Sequence, residues 1–347
     1  MNIIYEDLDI AYYDSKYDLI SNNYLIINSH NDFIKVLPYH KILIFTGTFY
    51  FDKILSNQIR QSNITHFINY NNDIRLIPEN ITHISFANCF NSNIDNLPHG
   101  VLYLKLGEDF NQKIEHLPGS LVYLLCGFYF NEEIDKLPQK LEHLVLGFNF
   151  NKSLDHLPQS LRYLYIGYCF NRELDYLPES LIYLKVGSKF NKPINNLPKN
   201  LKCLKLGYNF NQPVDRLPDS IEFLYFVGYF DQPVDNLPKN LLKLELSSNF
   251  TYTVDNLPTN LFYLKLGYFF NHSVNNLPAS LRHLILGQSF NKSLDNLPVS
   301  LEFLEVGDKF KHNLYFLNTG LHNLVVSNYY IKDFIHLPNS IKYINYS

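Results

Sequence analysis

The chain has 347 residues, of which 46% are hydrophobic and 18% are charged, and its formal net charge is −4. This composition excludes an intrinsically disordered chain, and without a basic block the sequence lacks the electrostatic footprint of a nucleic-acid-binding protein. No run of about eighteen apolar residues is present, so we expect no membrane span. The N-terminal residues are acidic where a secretory signal would be basic, which predicts a cytoplasmic location.

In chain order, residues 1–23 fit no repeat and are predicted to form an N-terminal cap. Residues 24–347 are predicted to form a single solenoid domain, whose first strand would contain Tyr24 and Ile26. Degenerate repeats follow. The residues in them that match the fixed positions of the twenty-residue repeat are Asn31, Ile34, Leu37, Pro38, Ile44, Gly47, Tyr50, Tyr70, Asn71, Ile74, Ile77, Pro78, Ile81 and Ile84.

Clear repeats cover residues 70–310, where phenylalanine recurs every twenty residues from Phe90 to Phe310 without an insertion. Leu-Pro recurs in the same register, and the repeat is F-N-x-x-[ILV]-[DN]-x-L-P-x-[SN]-L-x-x-L-x-[LV]-G-x-x. The last repeats decay, with Lys311, Asn318 and Tyr330 in place of Asn, Pro and Phe. A period this strict predicts a stack of coils in which each unit contacts only its neighbours.

Within a coil, the alternation around Leu164 and Ile166 predicts a short strand with these two side chains inside and Tyr163 and Tyr165 outside. Stacking would place successive strands about 4.8 Å apart in a parallel sheet. Gly167 would allow a backbone turn that a residue with a Cβ could not make.

On the rest of the coil, Phe170 is expected to return to the core and Asn171 to bond to loop backbone of its own or the next coil. The Leu177-Pro178 pair favours an extended or polyproline return path rather than a helix. The predicted fold class is therefore an all-β-leaning, leucine-rich-repeat-like solenoid of about seventeen coils. The parallel sheet would form its concave face and the extended segments its convex face.

The segment L-P-x-x-L-x-x-L-x-L resembles a short leucine-rich repeat, and the added F-N-x-x-[IV] resembles the FNIP (IP22) repeat of social amoebae and giant viruses of amoebae. Phe210-Asn211-Gln212-Pro213-Val214 is close to the F-N-Q-P-I form. The resemblance covers residues 70–347 well and 24–69 loosely, although the family repeat is commonly about twenty-two residues long. It implies a protein-binding solenoid, located in the cytoplasm of the host cell if the source is viral. Some members carry an F-box-like segment, for which residues 1–30 are too short.

Two outward strand positions form columns of aromatic and charged side chains along the sheet. Such columns suit protein recognition, because tyrosine is enriched in interfaces; the alternative is that they only stabilise the sheet by cross-strand stacking. The predicted partner-binding residues on the concave face are Tyr103, Tyr123, Tyr163, Tyr165, Tyr183, Lys185, Lys205, Phe223, Tyr225, Tyr263, Lys265 and Phe303.

A column of aspartates occupies one position of the return path: Asp135, Asp155, Asp175, Asp215, Asp235, Asp255 and Asp295. We interpret it as a column of turn residues; calcium bound between coils is the alternative. The histidines His116, His156, His336, His143 and His283 fall at variable positions and are interpreted as surface residues rather than ligands. Cys126 replaces an aliphatic residue and should lie in the core.

No Ser/His/Asp or Cys/His set stands out from the repeats, so the sequence predicts a non-enzymatic protein without cofactor or metal. The leading hypothesis is a scaffold that binds a protein partner, and neither nucleic acid nor membrane, through its sheet face. The alternative is a substrate-recognition subunit of a ubiquitin ligase that acts through a separate adaptor.

Overall fold

The computed structural model describes residues 24–29, 32, 35–46, 50–315, 317–326, 337, 339–341 and 343–346, and the predicted N-terminal cap lies outside them. The chain forms two units, Met1–Gly167 and Tyr168–Ser347. The single-domain organisation of residues 24–347 remains a prediction. Among the described residues no helix is long and apolar enough to cross a bilayer, and the one described α-helix has eight residues.

The first unit contains eight parallel strands, each paired with the next along the chain. They are β1 Tyr24–Ile27, β2 Ile42–Phe45, β3 His66–Tyr70, β4 His83–Phe86, β5 Tyr103–Lys105, β6 Tyr123–Leu125, β7 His143–Val145 and β8 Tyr163–Tyr165. Helix α1, Lys53–Arg60, lies between β2 and β3, and the 3-10 turn Ile74–Leu76 lies between β3 and β4.

The second unit contains nine parallel strands with the same consecutive pairing. They are β9 Tyr183–Lys185, β10 Cys203–Leu206, β11 Phe223–Phe226, β12 Lys243–Glu245, β13 Tyr263–Lys265, β14 His283–Ile285, β15 Phe303–Glu305, β16 Asn323–Val326 and β17 Tyr343–Tyr346. The leucine-rich-repeat-like parallel solenoid predicted from the period is confirmed, and the described return path contains tight turns rather than helix in the coils from β4 to β16.

Each coil buries one set of apolar side chains, and six such positions recur from coil to coil. In one coil they are Leu154, Leu157, Leu161, Leu164, Ile166 and Phe170, none of them more than 5% exposed. The phenylalanines form a stacked column, with ring centroids 6.2 Å apart between Phe130 and Phe150 and 6.0 Å apart between Phe190 and Phe210. Cys126 lies in this core as predicted, and burial raises the pKa of its thiol.

Polar side chains of the return path connect successive coils. Asn111 Oδ1 accepts a hydrogen bond from the backbone N–H of Asn131 at 2.8 Å, and Asn131 Oδ1 accepts one from Asn151 at 2.9 Å. These bonds confirm the predicted role of the repeated asparagine. A column of serines at the turn after Leu-Pro also connects successive coils. Ser160 Oγ, for example, donates a hydrogen bond to the carbonyl oxygen of Leu141 at 2.6 Å. Both columns satisfy loop backbone groups that the sheet leaves unpaired.

Glycine follows most strands of the strict repeats, and it is required there for a different reason from the one predicted at Gly167. Among the described glycines only Gly228 has a positive φ, +82°. At Gly147, a Cβ would lie 1.8 Å from the carbonyl oxygen of Gly127, so the side chain is excluded by the neighbouring coil rather than by the local dihedral angles. In the second unit, Val227 and Ser247 stand at this position instead of glycine. After Val227, the following Gly228 adopts the left-handed conformation.

The strict twenty-residue register predicted upstream of residue 83 is wrong. Ile42 pairs with His66, twenty-four residues later, and His66 pairs with His83, seventeen residues later. Because side chains alternate along a strand, the resulting shift turns Ile44 outward and exposes Ile26, which were both expected inside.

Helix α1 accounts for the long interval between β2 and β3. Asp52 Oδ1 caps its N-terminus by accepting a hydrogen bond from the backbone N–H of Leu55 at 2.9 Å. Leu55 and Ile59 lie four residues apart on one helix face and are both buried. Of the other early predictions, Ile74, Ile77, Ile81 and Ile84 are buried. Leu37 and Tyr50, assigned to core positions of the repeat, are exposed, because the twenty-residue register does not hold there. Asn31, Ile34 and Gly47 lie outside the described residues.

We expect Leu164→Ala in the first unit and Phe170→Ala in the second each to lower the free energy of unfolding by about 2–5 kcal/mol, since both side chains are fully buried. Thermal or urea denaturation measures this loss. Val299→Ala is the control, because the Val299 side chain is 82% exposed and its truncation should change stability by less than about 0.5 kcal/mol. Unchanged melts of both core variants would contradict the buried placement.

Alanine substitutions at two glycines of the first unit separate the effect of contact between coils on stability from the effect of backbone flexibility. We expect Gly147→Ala to destabilise the fold by about 1–3 kcal/mol or more, because the added methyl overlaps a backbone oxygen. Gly119→Ala should be neutral or stabilise the fold by up to about 1 kcal/mol, since nothing lies within 4 Å of its Cβ. Equal melting temperatures for the two variants would argue against the coil contact.

Candidate partner-binding face

The outward side chains of the strands form one face of each unit's sheet, which we call the outer sheet face. It contains the first and third residues of the three-residue strands, while the middle residue points into the core. In the first unit the predicted binding residues on this face are Tyr103, Tyr123, Tyr163 and Tyr165, and in the second unit they are Tyr183, Lys185, Lys205, Phe223, Tyr225, Tyr263, Lys265 and Phe303.

A continuous ladder of rings follows the outer sheet face of the first unit. The six rings, in order from β3 to β8, are His66, His83, Tyr103, Tyr123, His143 and Tyr163. Neighbouring centroids are 4.0–6.1 Å apart, and the shortest separations, 4.0–4.3 Å, belong to pairs of nearly parallel rings. Cross-strand stacking is therefore one role of this column, and the rings present mainly their edges to the surroundings.

Three of the predicted binding residues are buried on the outer sheet face. Tyr103 is 7% exposed, Tyr183 2% and Tyr225 8%, so the expectation that these rings offer contact area to a partner is wrong. Tyr103 lies between the rings of His83 and Tyr123, which accounts for the loss of its exposed faces. Lys185 and Lys265 are exposed, and the remaining seven predicted residues are half-buried.

Tyr225 in the second unit is covered by two lysines. The ammonium nitrogen of Lys205 lies 4.7 Å from the centre of the Tyr225 ring, and that of Lys243 lies 5.4 Å from it. Lys243 also lies 4.3 Å from the ring centre of Tyr263 and forms an ion pair of 3.1 Å with Glu245. These cation–π contacts fix two positive charges against aromatic rings on the outer sheet face.

Histidines within the ring ladder have an unusual protonation equilibrium. Burial lowers the pKa of His66 to about 4, helped by the nearby charges of His83 and Lys41. Burial likewise lowers the pKa of His143 to about 4, with a smaller effect from Arg162. The interpretation of His143 as a simple surface residue is therefore incomplete, because its half-buried ring stacks on both neighbours and is held neutral.

The other histidines are placed differently. His116 and His156 are exposed on the return turns, in agreement with the prediction, and His336 lies outside the described residues. His283 is half-buried on the outer sheet face, where burial lowers its pKa.

The aspartate column lies on exposed return turns and bonds to the following coil. Asp235 Oδ1 accepts a hydrogen bond from Asn256 Nδ2 at 3.0 Å, and Asp255 Oδ1 accepts one from Asn276 Nδ2 at the same distance. This arrangement gives the carboxylates a local structural role, as expected of turn residues. Across the part of the chain that the structure describes, no three His, Cys, Asp or Glu side chains are gathered where a metal ion could bind.

Sequence reasoning missed an exposed aromatic ridge on the turns that follow the strands. In the first unit Phe128 and Phe148 are each 38% exposed, and their rings stack at 4.5 Å; Tyr129 beside them is 52% exposed. The second unit has its own exposed rings at the same repeat positions: Tyr208, Tyr229, Tyr268 and Phe269. Their signal is a run of aromatic residues at the two variable positions after the repeat glycine.

The FNIP Repeat family model matches the chain six times, at residues 130–169, 170–209, 193–227, 210–249, 249–289 and 270–309. The chain belongs to the FNIP-repeat family. The family assignment agrees with the resemblance of the F-N-x-x-[IV] segment, and the matched region holds the repeats with the strictest period. No curated protein gives a sequence match to this FNIP-repeat chain.

Among solved structures, this FNIP-repeat chain is similar to CroV588, described as a novel circular LRR protein structure. The identity is 31% and the TM-score 0.74, with 89% of this chain and 53% of that chain covered, so the chain spans about half the length of CroV588. A second similar structure is YopM from Yersinia enterocolitica, at 19% identity and a TM-score of 0.47, covering 90% of this chain and 79% of that chain.

We expect the first unit to lose stability as the pH falls from about 6.5 to about 4. In this window the unfolded histidines, with an ordinary pKa of about 6.5, take up protons that folded His66 and His143 do not, so protonation favours the unfolded state. Above this window both states are neutral and the effect vanishes.

The test replaces His66 and His143 by tyrosine, which occupies the same column at Tyr123 and Tyr163. The double variant should lose less melting temperature between about pH 7 and pH 5 than the wild type does. His156→Tyr, at an exposed return turn, is the control and should keep the wild-type dependence. Identical pH profiles for all three proteins would refute the role of the ladder histidines.

Proposed function

We propose that this protein is a non-enzymatic, cytoplasmic scaffold that binds a protein partner through the outer sheet face. The observation that carries the proposal is the row of half-buried tyrosines and exposed lysines along this face. Leucine-rich-repeat folds are typically protein-interaction scaffolds, and the similarity to CroV588 places this chain among such folds.

The stacked geometry supports a binding role in addition to a stabilising one. A ring already ordered by its neighbours loses little rotamer freedom when a partner covers it, which lowers the entropic cost of association. Tyr123 and Tyr163 are such rings, held against His143 at 4.1 and 4.3 Å and still half-exposed at their edges. Their hydroxyl groups would supply polar contacts to a partner on the first unit, and the ammonium group of Lys265 would do so on the second unit.

Affinity capture from the source cells with quantitative mass spectrometry tests the face. Tyr163→Ser/Tyr165→Ser probes the first unit and Lys185→Ser/Lys265→Ser probes the second. A set of proteins captured by the wild type should be lost with at least one of these variants. The matched control removes two exposed tyrosines of the return turns, Tyr176→Ser/Tyr252→Ser.

The control variant should retain that set, since Tyr176 and Tyr252 are 70% and 43% exposed but lie away from the strands. Retention by both outer-face variants with loss from the control would refute the proposed face. The ubiquitin-ligase alternative makes a separate forecast for the same experiment, namely that ligase subunits are captured together with the chain.

A further inference from the structure

Four lysines form a patch on the outer sheet face of the second unit, which we call the lysine patch: Lys185, Lys205, Lys243 and Lys265. They come from β9, β10, β12 and β13, and the parallel register places Lys205 directly beside Lys185. Strand β11, between β10 and β12, contributes Tyr225, whose ring contacts both Lys205 and Lys243. The patch is therefore continuous over five strands.

The patch holds more lysines than acidic side chains. Glu245 is the acidic side chain in the same columns over β9–β13, and it pairs with Lys243 at 3.1 Å. Four ammonium groups and one carboxylate leave a net charge of +3, in a chain whose total is −4. A neighbouring pair, Lys202 and Glu222 at 2.7 Å, adds no net charge.

Two of the lysines are fixed and two extend from the sheet. Lys243 is 8% exposed and lies against the rings of Tyr225 and Tyr263, so its position is set before any partner arrives. Lys185 and Lys265, at the two ends of the patch, are exposed. A ligand that crosses the strands would meet an exposed ammonium group at each end and positive charge held against aromatic rings in the centre.

We propose that the lysine patch binds an acidic peptide segment of the partner protein. This inference rests on the proposed function and names the chemistry of the segment that the second unit recognises. Strands about 4.8 Å apart separate Lys185 from Lys265 by about 19 Å, a distance that about six residues of extended peptide would span. Two or more Asp or Glu residues in such a segment would pair with the end lysines.

Nucleic acid fits the same patch less well. Binding of single-stranded nucleic acid depends on bases that stack on exposed aromatic faces, and here the faces of Tyr225 are covered by the ammonium groups of Lys205 and Lys243. The carboxylate of Glu245 in the middle of the patch would also repel a phosphate backbone, whereas a peptide can place an uncharged residue there.

Fluorescence anisotropy with a fluorescein-labelled octapeptide of alternating Glu and Ser tests the proposal. The wild type should bind it, and Lys185→Glu/Lys265→Glu should weaken the affinity by about tenfold or more, because two attractive pairs become repulsive. Lys199→Glu/Lys292→Glu makes the same charge change at exposed return turns of the same unit and should bind within about twofold of the wild type. Far-UV circular dichroism verifies that both variants are folded.

Three results would overturn the proposal: no binding of the acidic octapeptide by the wild type, equal weakening by the two variants, or tighter binding of an oligothymidylate of equal length. Lys185→Gln/Lys265→Gln provides a second test, since it removes the charges without reversing them and should still weaken binding. If the octapeptide fails while the outer-face variants lose captured proteins, only the acidic chemistry is wrong and the scaffold function stands.

Discussion

The coil stack depends on the close approach of each coil to the backbone of the coil before it, which most of the strict repeats permit by a glycine after the strand. At Gly147 there is room for a hydrogen but not for a methyl group, because the carbonyl oxygen of Gly127 would lie 1.8 Å from a Cβ. Coils this close must follow the same path residue by residue. The stacked phenylalanines and the asparagine bonds to the next coil both require coils of equal length, which accounts for the absence of an insertion between Phe90 and Phe310.

The period predicts the fold well wherever every coil has twenty residues. There the alternation around Leu164 and Ile166 identifies the buried side chains correctly. Upstream, helix α1 lengthens one coil, and a shift of one residue then reverses the faces of a strand, as at Ile26 and Ile44. The sequence does contain a local helix signal, the capping residue Asp52 followed by the apolar pair Leu55 and Ile59 four residues apart. A search for matches to the repeat does not detect this signal.

The same alternation predicts which side chains face outward and says little about how far their neighbours cover them. Tyr225 and Lys265 occupy equivalent positions in the repeat, yet the tyrosine is buried by two lysines while the lysine is exposed. Burial on the outer sheet face depends on the combination of side chains on three adjacent strands. The stacked rings and fixed ammonium groups therefore emerge only in three dimensions, and they give the two units different surfaces: ring edges in the first and positive charge in the second.

Equal coil length between Phe90 and Phe310 lets every close contact between coils repeat, and it thereby holds these repeats together. Deleting residues 251–270 removes one whole coil and joins Phe250 to Asn271, which preserves the F-N sequence and the register of every remaining strand. Thermal unfolding of this variant should remain cooperative, with a melting temperature close to that of the wild type. Deleting only residues 251–260 should abolish the cooperative transition. Equal damage from the two deletions would contradict the account.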